Sequence, residues 1–175
     1  MVGEDTPKGL ASRKFAELVK ERTDGYVEVQ VFPNSFLYKD GEEISALLDG
    51  DVQMIAPSTS KITTVIPEWQ IIDLPFAFET KEEVREYVEG PVGEVLKNKL
   101  KAEGIYPLAF WYNGFKQMTN NREPLKHPDD FQDLRFRIMS SEVLYEQFDL
   151  LGAEARVETF DQVFPVLNNE ELNAQ

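Results

Sequence analysis

The chain has 175 residues with no cysteine and a single histidine, which excludes disulfide frameworks, thiolate zinc sites, iron–sulfur clusters, cysteine nucleophiles and multi-histidine metal centres. Its 32 acidic against 18 basic residues, a formal net charge of −14, set the surface against phosphate backbones and anionic bilayers, so no nucleic-acid partner is expected. No apolar run reaches the roughly 18 residues that membrane insertion needs, and 42% hydrophobic content over this length is enough for a core of its own.

The start, Met1-Val2-Gly3-Glu4-Asp5, has neither a basic nor an apolar leader region, so no signal peptide is expected within it. Residues 8–22 carry Ala11, Phe15, Leu18 and Val19 at helical steps, after Thr6-Pro7, which suits a helix start, and before Thr23-Asp24-Gly25, which stops one. Val27, Val29 and Val31 alternate with Glu28 and Gln30 and predict a half-buried strand. Ile44, Leu47 and Leu48 predict a second helix, entered through Asp40, with Glu42 and Glu43 at its positive end. A short strand over 52–56 runs into Ser58-Thr59-Ser60-Lys61.

Residues 68–79 are apolar and aromatic around Pro75 and read as a buried irregular crossover. Two helices follow, one through Val84, Tyr87 and Val88, the other through Val92, Val95, Leu96 and Leu100 after Gly90-Pro91. The nearly continuous apolar run over 105–111 predicts a strand covered on both faces. After a polar stretch to Asp133 come a strand over 134–139, a helix over 140–151 closed by Gly152, and a strand over 153–157. A last helix opens at Thr159, where Thr159-Phe160-Asp161-Gln162 fits a capping box, and Pro165 predicts irregular first turns. Strands alternating with helices define an α/β class with a mainly parallel sheet, and the composition shift after Trp111 marks a domain boundary.

Ligands in open α/β sheets bind beyond the carboxyl ends of strands. Two such ends are polar here: Ser58-Thr59-Ser60-Lys61, and Arg137 just before a helix that opens with Ser140-Ser141. A guanidinium fork beside a helix N-terminus describes an anion site. The competing reading pairs Arg137 with Asp133 or Glu142. Ser58 and Lys61 also fit S-x-x-K, but the S-D-N and K-T-G partners of that acyl-transfer chemistry are absent, and no catalytic residue is assigned. His127, in Lys126-His127-Pro128, is a surface residue at a helix start. Acidic doublets such as Glu82-Glu83 sit in first helical turns, where dipole compensation accounts for them.

Asp5-Thr6-Pro7-Lys8-Gly9, Phe32-Pro33-Asn34-Ser35, Ala56-Pro57-Ser58 and Asp73-Leu74-Pro75-Phe76-Ala77-Phe78 resemble the periplasmic solute-binding proteins of tripartite ATP-independent (TRAP) transporters. Asn113-Gly114-Phe115-Lys116-Gln117, Leu134-Arg135-Phe136-Arg137-Ile138-Met139 and Leu151-Gly152-Ala153 follow in the family's order, most like its DctP group. The resemblance implies a type II periplasmic-binding-protein-like fold of two lobes, with residues 1–113 as the first lobe and 114–175 as the start of the second. It implies a small dicarboxylate ligand such as malate, succinate or fumarate, no cofactor, TRAP membrane permease subunits as partners, and a periplasmic location.

By resemblance, Arg137 is the carboxylate-binding arginine, Lys116 stands where relatives carry a basic residue, and Lys8 with the loop from Ser58 to Lys61 faces the cleft. The same comparison makes the chain an incomplete member, with most of the opening strand and the later second lobe missing. Gln162, Glu170 and Asn173 depart from the family's usual Glu, Gly and Asp. The alternative is a truncated, non-binding or partner-dependent fragment.

Overall fold

A computed structural model describes residues 3–175; Met1 and Val2, where the leader reading begins, lie outside the described residues. The chain divides into two compact units, Met1–Pro57 and Ser58–Gln175.

In the first unit, helix α1 spans Pro7–Arg22. Thr6 Oγ1 accepts the Gly9 N–H at 3.2 Å, Pro7 occupies the first turn, and Thr23 Oγ1 donates to the Val19 carbonyl at 2.8 Å where the helix ends. The deepest positions are Gly9 and Ser12 rather than the expected stripe: Ala11 is exposed, while Phe15, Leu18 and Val19 are half-buried. Gly9 is required there, because a Cβ would stand 2.4 Å from the Gly3 carbonyl oxygen. Helix α2, Glu43–Leu48, starts after Glu42 instead of Asp40 and buries Ile44 and Ala46 while Leu48 stays exposed.

The strands expected over 27–31 and 52–56 are not formed. Alternation states which face prefers burial, but a strand exists only where a neighbour supplies ladder donors and acceptors. Among the described residues these segments have none: Val27 N–H bonds to Thr23 Oγ1, and Val52 N–H turns back to the Ala46 carbonyl.

The second unit has two cores. The first is built by α3 (Thr59–Ile62), a 3-10 helix (Pro67–Asp73), α4 (Lys81–Glu89) and α5 (Pro91–Ala102). Ile66, Trp69, Val88, Leu96 and Leu100 fill it, with Trp69 wholly buried and its ring 5.3 Å from that of Phe110. At the start of α4 the Thr80 hydroxyl accepts the Glu83 N–H, and the Glu83 carboxylate accepts the Glu79 N–H. The crossover expected over 68–79 is buried only in part: Trp69 and Asp73 are inside, but Phe76 is 99% exposed with φ at 58°. The run over 105–111 forms no strand and is not covered on both faces; Ile105 and Phe110 lean on the first core, and Leu108 and Trp111 are exposed. Pro107 cannot donate to a ladder, and among the described residues the run's backbone bonds only through the Ile105 N–H, which donates to the Leu100 carbonyl at the end of α5 at 2.9 Å and builds no ladder.

The second core is a βαβ unit: β1 (Arg135–Ile138), α6 (Glu142–Leu150) and β2 (Glu154–Val157), the strands parallel with Arg137 opposite Arg156. On β1, Phe136 and Ile138 alternate inward against Leu144 and Phe148 of α6, which leaves Arg135 and Arg137 on the other face. Residues 173–175 lie along the free side of β1, the Arg137 N–H donating to the Ala174 carbonyl at 2.8 Å, and Thr119 exchanges two hydrogen bonds with Gln175 beyond them. The final helix α7, Val163–Asn168, follows a 3-10 turn over Phe160–Gln162, the irregular start expected from Pro165. The capping box at Thr159 is not made; its backbone carbonyl, not its side chain, accepts the Gln162 N–H at 3.0 Å.

Candidate functional site

Arg137 is the third residue of β1, held from both sides by the rows at β2 and 173–175. Its guanidinium is half-buried and donates twice to one acceptor, Nε at 3.0 Å and Nη2 at 2.8 Å from the Glu158 carbonyl oxygen. Burial lowers its pKa from the usual arginine value, with the Glu158 carboxylate acting the other way, but a guanidinium this basic stays charged. Neither Asp133 nor Glu142 pairs with it, and among the described residues it forms no ion pair within 4.0 Å. The structure therefore spends the fork on a neutral carbonyl and leaves its positive charge uncompensated by direct contact.

Lys116 belongs to a second cluster. Its Nζ lies 2.5 Å from Asp73 Oδ1, and the Ser60 hydroxyl donates to the same oxygen at 2.8 Å. Asp73, at the end of the 3-10 helix, is 4% exposed. Ser58 is the N-cap of α3 without using its side chain as a cap, and Lys61 lies on the same short helix. Ser60 thus ties the predicted hydroxyl loop to Lys116 through Asp73. The 3-10 helix that carries Asp73 also reaches α6, where Gln70 Oε1 accepts the Val143 N–H at 3.2 Å.

Lys8 lies in the first unit, in the first turn of α1, donating to the Ala56 carbonyl at 3.1 Å. Burial lowers its pKa, opposed by the Glu43 carboxylate. His127 caps a surface 3-10 turn, as expected; its N–H donates to the Asp130 carboxylate, which the same contact holds below its usual pKa together with the Lys126 N–H. Among the described residues no group of three or more His, Asp or Glu side chains could hold a metal ion, and no helix is long and apolar enough to cross a membrane.

Sequence reasoning missed Asp73, Arg156 and Glu158. The arginine was within reach: parallel neighbours over 134–139 and 153–157 put every second residue on one face, and Arg156 has the parity of Arg137. Asp73 had no local signal, since 43 residues separate it from Lys116.

Asp73→Asn keeps an acceptor for Ser60 and removes the charge opposite Lys116. Because Lys116 is half-exposed and can turn to water, the expected loss of stability is about 1–2 kcal/mol, read from the urea midpoint. An unchanged midpoint would show that this pair holds nothing in place.

The parallel βαβ unit thus presents a half-buried guanidinium that, among the described residues, forms no ion pair within 4.0 Å, and a separate lysine–aspartate pair joins Lys116 to Asp73 in the same compact unit. Residues 1–175 match DctP, the bacterial extracellular solute-binding protein family 7, and the chain belongs to this family of binding proteins, which are not enzymes. It is 47% identical over 175 residues to the C4-dicarboxylate-binding protein DctB of Bacillus subtilis (strain 168), covering 100% of this chain and 50% of that one. A TRAP periplasmic solute binding protein from Shewanella oneidensis, solved with bound succinate, superposes with a TM-score of 0.95 at 43% identity, over 100% of this chain and 57% of that one. Another from Pseudomonas aeruginosa PAO1, with bound L-malate, gives 0.93 at 38% identity, over 99% and 60%. The chain spans about half the length of the curated relatives it matches. Its fold is an incomplete two-lobed binding-protein fold of the α/β class.

Proposed function

We propose that the chain is the anion-gripping part of an extracytoplasmic solute-binding protein that delivers a small dicarboxylate of the succinate or malate type to TRAP permease subunits. The observation that carries this reading is the half-buried guanidinium of Arg137, which among the described residues forms no ion pair within 4.0 Å, in a chain of net charge −14. A carboxylate is the partner whose two oxygens match the edge of the guanidinium that the Glu158 carbonyl leaves open. A second carboxylate needs a second cation, for which Lys116, Lys61 and Lys8 are the candidates, with the Ser58 hydroxyl as a neutral donor. The reading divides the chain into a first lobe over 1–113 and the start of a second over 114–175; Gly114, at φ 118°, supports a bend of the backbone at that join.

The test is a thermal melt of the chain with millimolar succinate, L-malate and fumarate. A ligand present at a hundred times its Kd stabilises the native state by about 2.7 kcal/mol, which for a chain of this size moves Tm upward by roughly 5–10 °C. A cooperative transition that none of the three moves overturns the dicarboxylate reading. A second reading, a partner-dependent chain, is favoured by the aromatic side chains left in water, among them Tyr26, Phe36 and Phe76. The same melt separates the two readings, because a chain that depends on a partner shows no cooperative transition alone.

A further inference from the structure

We infer that Arg156 and Glu158 form a positioning device for Arg137, in which Arg156 neutralises and fixes Glu158, the residue whose carbonyl accepts from the Arg137 guanidinium. The inference rests on the reading of Arg137 as the anion anchor. Its starting point is the register of the sheet, which sets Arg137 on β1 directly beside Arg156 on β2. Side chains paired in this way share one face, here the face opposite Phe136 and Ile138. Two guanidinium groups on neighbouring strands repel each other unless something negative stands between them.

Glu158, one residue past the end of β2, meets both. Its carboxylate Oε1 lies 2.8 Å from Arg156 Nε, while its main-chain carbonyl accepts both Arg137 donors. Its N–H continues the ladder to the Ile138 carbonyl at 3.3 Å. The contact is an ion pair without hydrogen-bond alignment, since the buried Arg156 Nε–H has no acceptor in line; charge attraction holds residue 158 beside Arg156, and its carbonyl passes that position to Arg137. Arg156 is itself braced by a second acid, Glu171, whose Oε2 accepts from Nη2 at 3.1 Å.

The arrangement also settles the charge around the anchor. An unpaired Glu158 carboxylate beside Arg137 would repel an incoming carboxylate and compete for its guanidinium. Arg156 removes that competitor by pairing with it. Arg156 and Glu158 are thus positioning residues, acting on the ligand through Arg137.

The experiment compares the unmodified chain with Arg156→Ala, the double variant Arg156→Ala/Glu158→Gln, Arg156→Lys and Arg137→Lys. Succinate is titrated calorimetrically into each, and the Arg137 Nε–H exchange is followed by NMR without ligand, its signal assigned by its loss in Arg137→Lys. Arg156→Ala is expected to weaken succinate binding about tenfold and to speed Nε–H exchange by a similar factor, because Glu158 is freed. The double variant is expected to recover binding to within about threefold of the unmodified chain, since the harm lies in the unpaired carboxylate. A side chain with only a packing role would show no such rescue.

Loss of binding in Arg156→Ala without recovery in the double variant overturns the inference, as does unchanged binding together with unchanged exchange. If Arg156→Ala fails to fold, Arg156→Lys keeps the charge and is expected to stay within about threefold in affinity; a tenfold loss there, with unchanged exchange, overturns the inference. Succinate binding that survives Arg137→Lys overturns the anchor reading instead. The ligand-free exchange then decides this inference alone, and an Arg137 Nε–H indifferent to Arg156→Ala ends it.

Discussion

Arg137→Lys is expected to weaken succinate binding roughly a hundredfold, about 2.7 kcal/mol, in a calorimetric titration. Arginine at this position does two things at once. It satisfies the Glu158 carbonyl through Nε and Nη2, and it carries a delocalised charge to the opposite edge of the same plane. An ammonium has no second edge: if it turns to the carbonyl, it withdraws from the ligand. The half-buried surroundings aggravate the loss, because desolvation already lowers the pKa of the guanidinium and acts on a lysine that starts about two units lower. Affinity within about threefold of the unmodified chain would remove Arg137 as the anchor.

Phe136→Ala should produce the largest loss of stability available from one side chain of the second core, about 3–5 kcal/mol. The Phe136 ring is wholly buried and stacked between Phe148 at 4.1 Å and Phe131 at 5.8 Å between centroids. Its backbone lies in the middle row of the ladder, so the surroundings cannot collapse into the void without displacing β1. Against a total stability of about 5–15 kcal/mol such a loss is a large fraction. Because Arg137 is the next residue along the strand, succinate affinity is expected to fall with it. Chemical denaturation measures the effect, and a cost below about 1 kcal/mol would mean that the aromatic stack does not hold the sheet.

The parts of the fold legible in the sequence are those whose signals are local. The Thr6-Pro7 start of α1, the Gly90-Pro91 join and the β1–α6–β2 unit were all readable, because each is specified within a few residues. The segments over 27–31, 52–56 and 105–111 were not, since their patterns state a preference for burial and a strand also needs a partner distant in sequence. The site follows the same division. Arg137 stands out as a cation at a strand end, whereas its acceptor is the carbonyl of Glu158, and a backbone atom 21 residues away leaves no trace in side-chain composition. Asp73 was hidden for the same reason, lying in a segment read only as an apolar crossover.

The stretch from Ile105 to Tyr112 contains no charged residue, and Tyr106, Leu108, Trp111 and Tyr112 all show much of their surface to water. Only Pro107 interrupts it. Such a stretch is the natural nucleus for self-association, so the colloidal behaviour of the chain depends on what keeps copies apart. That barrier is the net charge of −14, felt over the Debye length. At roughly 0.1 M salt the length is about 10 Å and at 1 M about 3 Å, so the chain's solubility is a property of its buffer as much as of its fold.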